Sequence, residues 1–440
     1  MLSIFRPLTV KFAYLALFLS STGLYAQERV FTLDELFSLA DKNSKSIRLH
    51  QLVIREAEQG IKVARNAYLP SLSVKAEATY IGDGCMTDRD FSNGVHADMP
   101  HWGYSFVVKA QQTLYAGGSI QSSVRQSKLQ KQATEQTHLD NRQDLRFLLA
   151  GYYLDLFQLR NQERVYRKNI EQTHLLVKDM QAAYQQGTAL KSDITRYELQ
   201  LQNLELGLTS TINRLNVLNH QLVTTIELPV ETRIVPDTLY LKQLMVDDLQ
   251  ENEWKAGMND APSLKLTDID IALGKNQKRL IQAERLPHIT FSATNDFNGP
   301  ILVEVPPLNN NFTYWFVGVG VSYNLDALFK SKRKLRQADI AIQRLEEKRC
   351  LAEEELENSI HKAYINLQEA YIRLRTQQKS VQLAHENFDI VRQRYMNGLA
   401  LITDMLDASN TQLDMELQLA NYQVGILYQY FLLKRQIGTL

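Results

Sequence analysis

Only two cysteines, Cys85 and Cys350, occur in the 440 residues, so a disulfide framework is excluded. No sign of charge is in excess: Lys plus Arg and Asp plus Glu both number 49. That balance argues against nucleic acid as a partner, because such proteins carry a basic bias. Beyond residue 26 there is no run of about 18 apolar residues, which excludes a helical membrane protein. It does not exclude a membrane β-barrel, whose strands alternate and leave a weak hydropathy signal. The nine histidines are scattered, with no His-x-x-x-His and third ligand. Walker-type loops are missing, and Gly318-Val-Gly320 is followed by no helix start, so it does not read as a dinucleotide loop. The sequence thus points to no catalytic site, metal or cofactor.

Proline and glycine are missing in two long intervals. No proline lies between Pro100 and Pro229, or beyond Pro307. Between Ser119 and Gln186 the only glycine is Gly151, and between Asp326 and Asn397 there is none. Both residues weaken helices, so each interval has room for a very long one. Leu145, Leu148, Leu149, Tyr152, Tyr153, Leu156 and Leu159 recur at spacings of three and four. Ile360, Tyr364, Leu367, Tyr371 and Leu374 do the same, as do Leu413, Leu417, Ala420, Val424, Leu427 and Phe431. Such seams belong to helices packed lengthwise. Ser119 to Tyr184 would make a helix of roughly 100 Å at 1.5 Å per residue.

What precedes these intervals differs in kind. Residues 1–26 read as a secretory signal: Arg6 and Lys11, the apolar "FAYLALFLSS", and a small residue before Gln27. Its removal takes two bases and no acid, leaving 47 bases against 49 acids, a net charge of −2. Residue 27 is not cysteine, so no acyl attachment site follows.

The rest is written twice. "YQQGTALKSD" at Tyr184 and "YMNGLALITD" at Tyr395 share Tyr-x-x-Gly-x-x-x-x-x-Asp at an offset of 211, and Leu114/Leu325 and Tyr153/Tyr364 keep the same offset. "LPSLSV" and "LPHITF" are offset by 217, so the first half has the longer loop between Pro70 and Leu114. An internal duplication accounts for this. The expected organisation is a first repeat at 27–227, a bridging segment at 228–260 and a second repeat at 261–440.

Each repeat holds two alternating segments ahead of its long helix, expected at about 71–82 and 103–116, then 288–297 and 314–325. Leu72, Val74, Ala76, Ala78 and Tyr80 share one face of the first; Ser71, Ser73, Lys75, Glu77 and Thr79 share the other. Trp315, Val317, Val319 and Val321 alternate with Phe316, Gly318, Gly320 and Ser322 in the last. Period-two alternation over ten to twelve residues fits strands crossing a bilayer, polar side inward. It also fits a soluble sheet with one buried face. Trp102, Tyr104, Tyr314 and Trp315 open the second and fourth strands, where an aromatic girdle would lie. Four strands cannot close a barrel, which takes roughly eight, and open edges do not survive in hydrocarbon. Strands in a membrane would therefore require a homo-oligomer.

With these pieces in order, the chain resembles the TolC-like outer-membrane efflux proteins over its whole mature length. The resemblance rests on "FTLDELFSLADKNS", "ARNAYLPSLSV", "AERLPHITF", "TLYAGGSIQSSVRQS", the doubled Tyr-x-x-Gly…Asp element and the C-terminal "LITDMLDASNTQLDMELQLANYQVGILYQYFLLKRQIGTL". It implies a mainly α chain: a trimer with a shared twelve-stranded β-barrel and a periplasmic tunnel of long α-helical hairpins, resident in the outer membrane. It implies partners too: a periplasmic adaptor and, through it, an inner-membrane pump of the RND, ABC or MFS type. The activity implied is passive export, not catalysis.

In that frame Gly187 and Gly398 are the turns at the far ends of the hairpins. Ser192 and Thr403 are the expected N-caps of the returning helices, with Asp193 and Asp404 in the first turn. Asp404 and Asp407, three apart, share a helix face. The resemblance makes them an acidic constriction, and makes Tyr395 and Asp193 members of the network that holds the tip closed. It often also has a basic residue two places after the glycine, where this chain has Ala400; Lys191 and Arg394 are the nearby substitutes. Gly187, Thr188, Ala189 and Leu190, with Gly398, Leu399, Ala400 and Leu401, match the adaptor-contacting tips, although the leucines also suit packing on a neighbouring helix. Lys75, Glu77 and Lys109 are expected in the barrel lumen. Cys85 falls in a loop that the resemblance places outside the cell, while Cys350 falls on a helix below the barrel. The competing reading is a periplasmic coiled-coil adaptor or scaffold without membrane strands.

Overall fold

The computed structural model describes residues 28–239, 241, 250–304 and 307–440. The expected signal segment, and residues 240 and 242–249 of the bridging segment, lie outside the described residues. The elements in chain order are β1 (Glu28–Phe31), α1 (Leu33–Asn43), α2 (Lys45–Arg65), β2 (Ser71–Tyr80), β3 (Gly84–Met86), β4 (Val95–Ala97), β5 (Trp102–Ala116), α3 (Ser119–Gln185), α4 (Lys191–Thr225), β6 (Arg233–Pro236), α5 (Glu251–Ala256), α6 (Pro262–Ala283), β7 (His288–Gly299), β8 (Phe312–Ser322), α7 (Asp326–Met396) and α8 (Ile402–Ile437). The intervals poor in proline and glycine are α3 and α7, of 67 and 71 residues. Two compact units cut across the two repeats. One comprises residues up to 49, 139–261 and 355–440; the other comprises 50–138 and 262–354.

The second unit carries an antiparallel sheet in the order β2-β5-β7-β8. The repeats join at its centre, through β5 and β7. Register decides which side chains share a face. Ser73, Lys109, Thr294 and Phe316 stand in line across the four strands, as do Val74, Val108, Asn295 and Trp315 one step along. Leu72, Val74, Val317, Val319 and Val321 thus fall on one face with Phe106 and Ala110. That face is uncovered: Leu72 is 77% exposed, Val319 63% and Val321 68%. A soluble sheet would bury it, so the reading as a sheet with one buried face fails in this chain.

The strand with the least clean alternation, β5, has a physical reason. The ladder with β7 shifts between Thr113 and Tyr115, leaving Leu114 without a partner. This bulge brings Tyr115 opposite Ile289 and so restores the apolar face in spite of the two polar residues Gln111 and Gln112. The Gln112 amide donates to the carbonyls of Tyr68 and Thr113, at 2.9 and 3.2 Å. Aromatic rings gather at the loop end of the sheet. Tyr80 meets Trp102 edge to face at 5.6 Å, and Tyr104 stacks on Phe297 at 6.0 Å. The longer first loop holds the β3–β4 hairpin, which includes Cys85. Beyond the sheet, Gly117 and Gly118 turn the chain with positive φ of 62° and 84°. A Cβ on Gly117 would lie 2.5 Å from the Ala283 carbonyl oxygen, so only glycine fits there.

The first unit has the larger core. Phe31, Leu36, Leu149, Leu154, Leu222, Ile234, Trp254 and Leu427 are among its buried residues. Short strands β1 and β6 pair in parallel across it. Tyr153 fixes both: its hydroxyl donates to the Phe31 carbonyl and accepts from the Asp237 amide, each at 2.7 Å. Burial pushes its phenol pKa strongly upward. Helix α1 starts with a capping box, Thr32 with Glu35, at 3.3 and 2.9 Å. No helix of the described residues is long and apolar enough to cross a membrane.

Candidate functional site at the helical tips

Two hairpins, α3–α4 and α7–α8, turn within the first unit, and their turns are built alike. The Gly187 amide donates to the Tyr184 carbonyl and the Thr188 amide to the Ala183 carbonyl; Gly398 and Leu399 repeat this with Tyr395 and Arg394. This is the Schellman arrangement, which needs a left-handed residue after the helix. Gly187 and Gly398 supply it, with φ of 76° and 71°. No atom would crowd a Cβ at either position, so backbone conformation alone selects glycine. The doubled Tyr-x-x-Gly is therefore a helix stop written twice.

The returning helices begin earlier than the sequence suggests. Their N-caps are Leu190 and Leu401, not Ser192 and Thr403. Neither leucine has a side-chain acceptor, so the third helical residue does the capping. The Asp404 carboxylate accepts from the Leu401 amide at 3.0 Å, and Asp193 accepts from the Leu190 amide at 3.5 Å. Each aspartate thus satisfies a free amide and places negative charge at the positive end of the helix dipole.

The two copies then diverge. Asp193 is 8% exposed, and the Tyr395 hydroxyl donates to its Oδ2 at 3.2 Å, linking the second hairpin to the first. The mirror link is not made: Tyr184 and Asp404 are both exposed. Asp407 is exposed as well, on the same side of α8 as Asp404. Burial, and then the neighbouring Asp193 charge, push the Tyr395 phenol up to about 12. A layer of Leu176, Val177, Met180, Tyr197, Phe388, Met405 and Ala408 packs around this link. The Tyr197 hydroxyl is fully buried there without a hydrogen-bond partner. Arg394, one of the two basic substitutes, donates to the Leu399 carbonyl at 3.5 Å rather than to a carboxylate. The other, Lys191, has no ion pair among the described residues.

At the turns themselves, Leu190, Leu399 and Leu401 are 67%, 68% and 69% exposed, so they do not pack on a neighbouring helix of the same chain. Thr188 is exposed, and Ala189 and Ala400 are partly covered. In the sheet, Lys75 pairs with Glu77. Lys109, opposite Ser73 and Thr294, falls on the same polar face.

One polar cluster had no local signature. Glu416 on α8 takes Lys168 Nζ at 3.0 Å, Asn169 Nδ2 at 3.0 Å and His385 Nε2 at 2.8 Å. Burial opposes its ionisation, but the bonds from Lys168 and Asn169 prevail and hold its pKa below the usual carboxylate value. Glu416 and its partners lie on three helices, and up to 248 residues separate them. Only the slightly unusual glutamate within an apolar stripe could have hinted at it.

Comparison with known proteins adds the following. The model of the outer membrane efflux protein family matches residues 36–206 and 258–438, which is most of the chain. No curated protein sequence matches. Among solved structures, the outer membrane protein VceC of Vibrio cholerae aligns with a TM-score of 0.72 at 15% identity, over 92% of this chain and 96% of that one. The open-state MtrE outer membrane channel of Neisseria gonorrhoeae aligns with a TM-score of 0.71 at 15% identity, over 92% and 88%. The CmeC outer membrane channel of Campylobacter jejuni aligns with a TM-score of 0.70 at 12% identity, over 92% and 85%. At these identities the structures speak for the fold.

Proposed function

The chain belongs to the outer membrane efflux protein family, and on that premise we propose that it is the exit duct of a tripartite efflux or type I secretion system. The observation that carries the reading is the four-stranded sheet. One of its faces is largely apolar and exposed, the other carries Ser73, Lys75, Glu77, Lys109 and Thr294 together with the rings of Tyr314 and Phe316, and its outer strands β2 and β8 have free edges among the described residues. Three copies, each setting β8 against the β2 of the next, would supply twelve strands and leave no edge in the lipid. The scaffold alternative offers no use for such a sheet.

The repeats, 27–227 and 261–440 around the bridge 228–260, would then each give a strand pair to the barrel and a hairpin to a periplasmic tunnel. In the duct Lys75, Glu77 and Lys109 line the lumen. Leu399, Ala400 and Leu401, with Thr188, Ala189 and Leu190, meet a periplasmic adaptor that couples the duct to an inner-membrane pump. Asp404 and Asp407 of three chains ring the entrance and favour cations, and the Tyr395–Asp193 bond holds it narrow. The duct needs no cofactor, since transport energy comes from the pump.

The test is the reversal potential in a salt gradient across a planar bilayer. Asp404→Ala with Asp407→Ala moves it toward the unselective value. An unchanged reversal potential would remove the acidic ring from the account.

A further inference from the structure

The start of α7 carries a run of bases that neither hairpin nor gate uses. "KSKRKLR" holds Lys330, Lys332, Arg333, Lys334 and Arg336 with no acid among them. Lys330 and Lys334 are neutralised by Asp326 and Glu284. Lys332, Arg333 and Arg336 are exposed, and none has a side-chain bond or ion pair among the described residues.

Their placement is ordered. With Phe329 they occupy positions i, i+3, i+4 and i+7, one stripe of the helix. Ala327, Ser331 and Ala338, on the opposite side, are buried. The stripe is therefore apolar next to the sheet, where Phe329 is 65% and Leu328 43% exposed, and basic beyond it. At 1.5 Å per residue, Lys332 lies roughly 9 Å, and Arg336 roughly 15 Å, along the axis from the helix start. The other three connections to the sheet repeat this order, each with at least one exposed base. Leu69 follows Arg65, Leu286 follows Arg285, and Leu114 and Tyr115 precede Arg125; all these side chains are exposed. Arg65, Arg285 and Arg125 have no side-chain partner among the described residues either.

Exposed apolar residues continuous with the lipid-facing face of the sheet, followed within a few turns by unpaired bases, describe a membrane boundary. Long basic side chains lay their stems on the apolar layer and reach the headgroups. In an outer-membrane protein whose helices extend into the periplasm, this boundary is the periplasmic leaflet. We propose that Lys332, Arg333 and Arg336, with Arg65, Arg125 and Arg285, form a collar that binds the phosphodiester headgroups of anionic glycerophospholipids in that leaflet. The collar rests on the family assignment and on the sheet, and not on any role of the hairpin tips.

The experiment uses the full protein in vesicles of mixed phosphatidylcholine and phosphatidylglycerol, with spin-labelled traces of each lipid. The motionally restricted fraction of each label reports its association with the protein. A base near an anionic surface is worth about fivefold in affinity; shared among competing sites, the collar should enrich phosphatidylglycerol about threefold or more at low salt, and molar salt should abolish this. The variant R65Q/R125Q/R285Q/K332Q/R333Q/R336Q should bring the two lipids close to parity, while R65K/R125K/R285K/K332R/R333K/R336K keeps the enrichment. Conductance in planar bilayers confirms that each variant still forms the duct. Equal association of the two lipids with the parent protein would overturn the proposal. So would enrichment that survives the glutamine variant, or a glutamine variant that loses its oligomeric state, which would make this face an interface between subunits.

Discussion

Replacing Tyr395 with Phe removes one oxygen from the tip and keeps the ring within its apolar layer. The lost bond is the donation to Asp193 Oδ2 at 3.2 Å. Asp193 is almost fully buried, and its remaining bonds, from the Leu190 amide at 3.5 Å and the Ser192 hydroxyl at 3.4 Å, are long. A hydrogen bond to a charged group contributes about 1.5–3 kcal/mol. On the proposed role of this bond as the latch, each link would favour the closed arrangement by about tenfold or more. Tyr395→Phe should accordingly raise the open probability in planar bilayers by at least about tenfold.

The same bond has an alkaline limit. Its phenol pKa is raised in the folded state, to about 12 from an ordinary value of 10. A raised pKa means that the folded form holds its proton more tightly. The contribution is therefore complete below pH 10 and fades as the pH climbs toward 12. Openings of the parent channel should become frequent across that window, whereas the Phe variant, already unlatched, should change little. Equal open probabilities for parent and variant at neutral pH would refute the reasoning.

Two other outcomes follow from the geometry. Tyr153→Phe removes the hydroxyl that donates to the buried Phe31 carbonyl and accepts from the Asp237 amide. At about 1–3 kcal/mol for the buried Phe31 carbonyl, it should lower the thermal midpoint by a few degrees in circular dichroism, with channel selectivity unchanged. Cys85 and Cys350 are both free and exposed; an impermeant maleimide should label Cys85 on intact cells and spare Cys350 until the outer membrane is breached.

What was legible in the sequence was whatever repeats locally. Helices α3 and α7 showed as intervals without proline and almost without glycine, and the four long strands showed as alternation. The parallel pair β1–β6 stayed hidden because four residues are too few for a period to show and its partners are far apart in sequence. Ser192 and Thr403 misled because a hydroxyl is the usual N-cap. In both hairpins the returning helix begins at Lys191 or Ile402, ahead of the hydroxyl, and an aspartate reaching back replaces it as the cap. The asymmetry between Asp193, buried and bonded, and Asp404, exposed, could not be read from identical motifs, since packing from the other hairpin creates it. Glu416 and its three partners were invisible for the same reason.

The measurement that bears most directly on the central claim is the mass of the detergent-extracted protein by native mass spectrometry, alongside its fractionation. Edge strands that must be paired in lipid predict a particle of three chains, released from the outer membrane only by detergent and dissociated by heating. A single chain that appears in osmotic-shock fluid and stays monodisperse without detergent would contradict it.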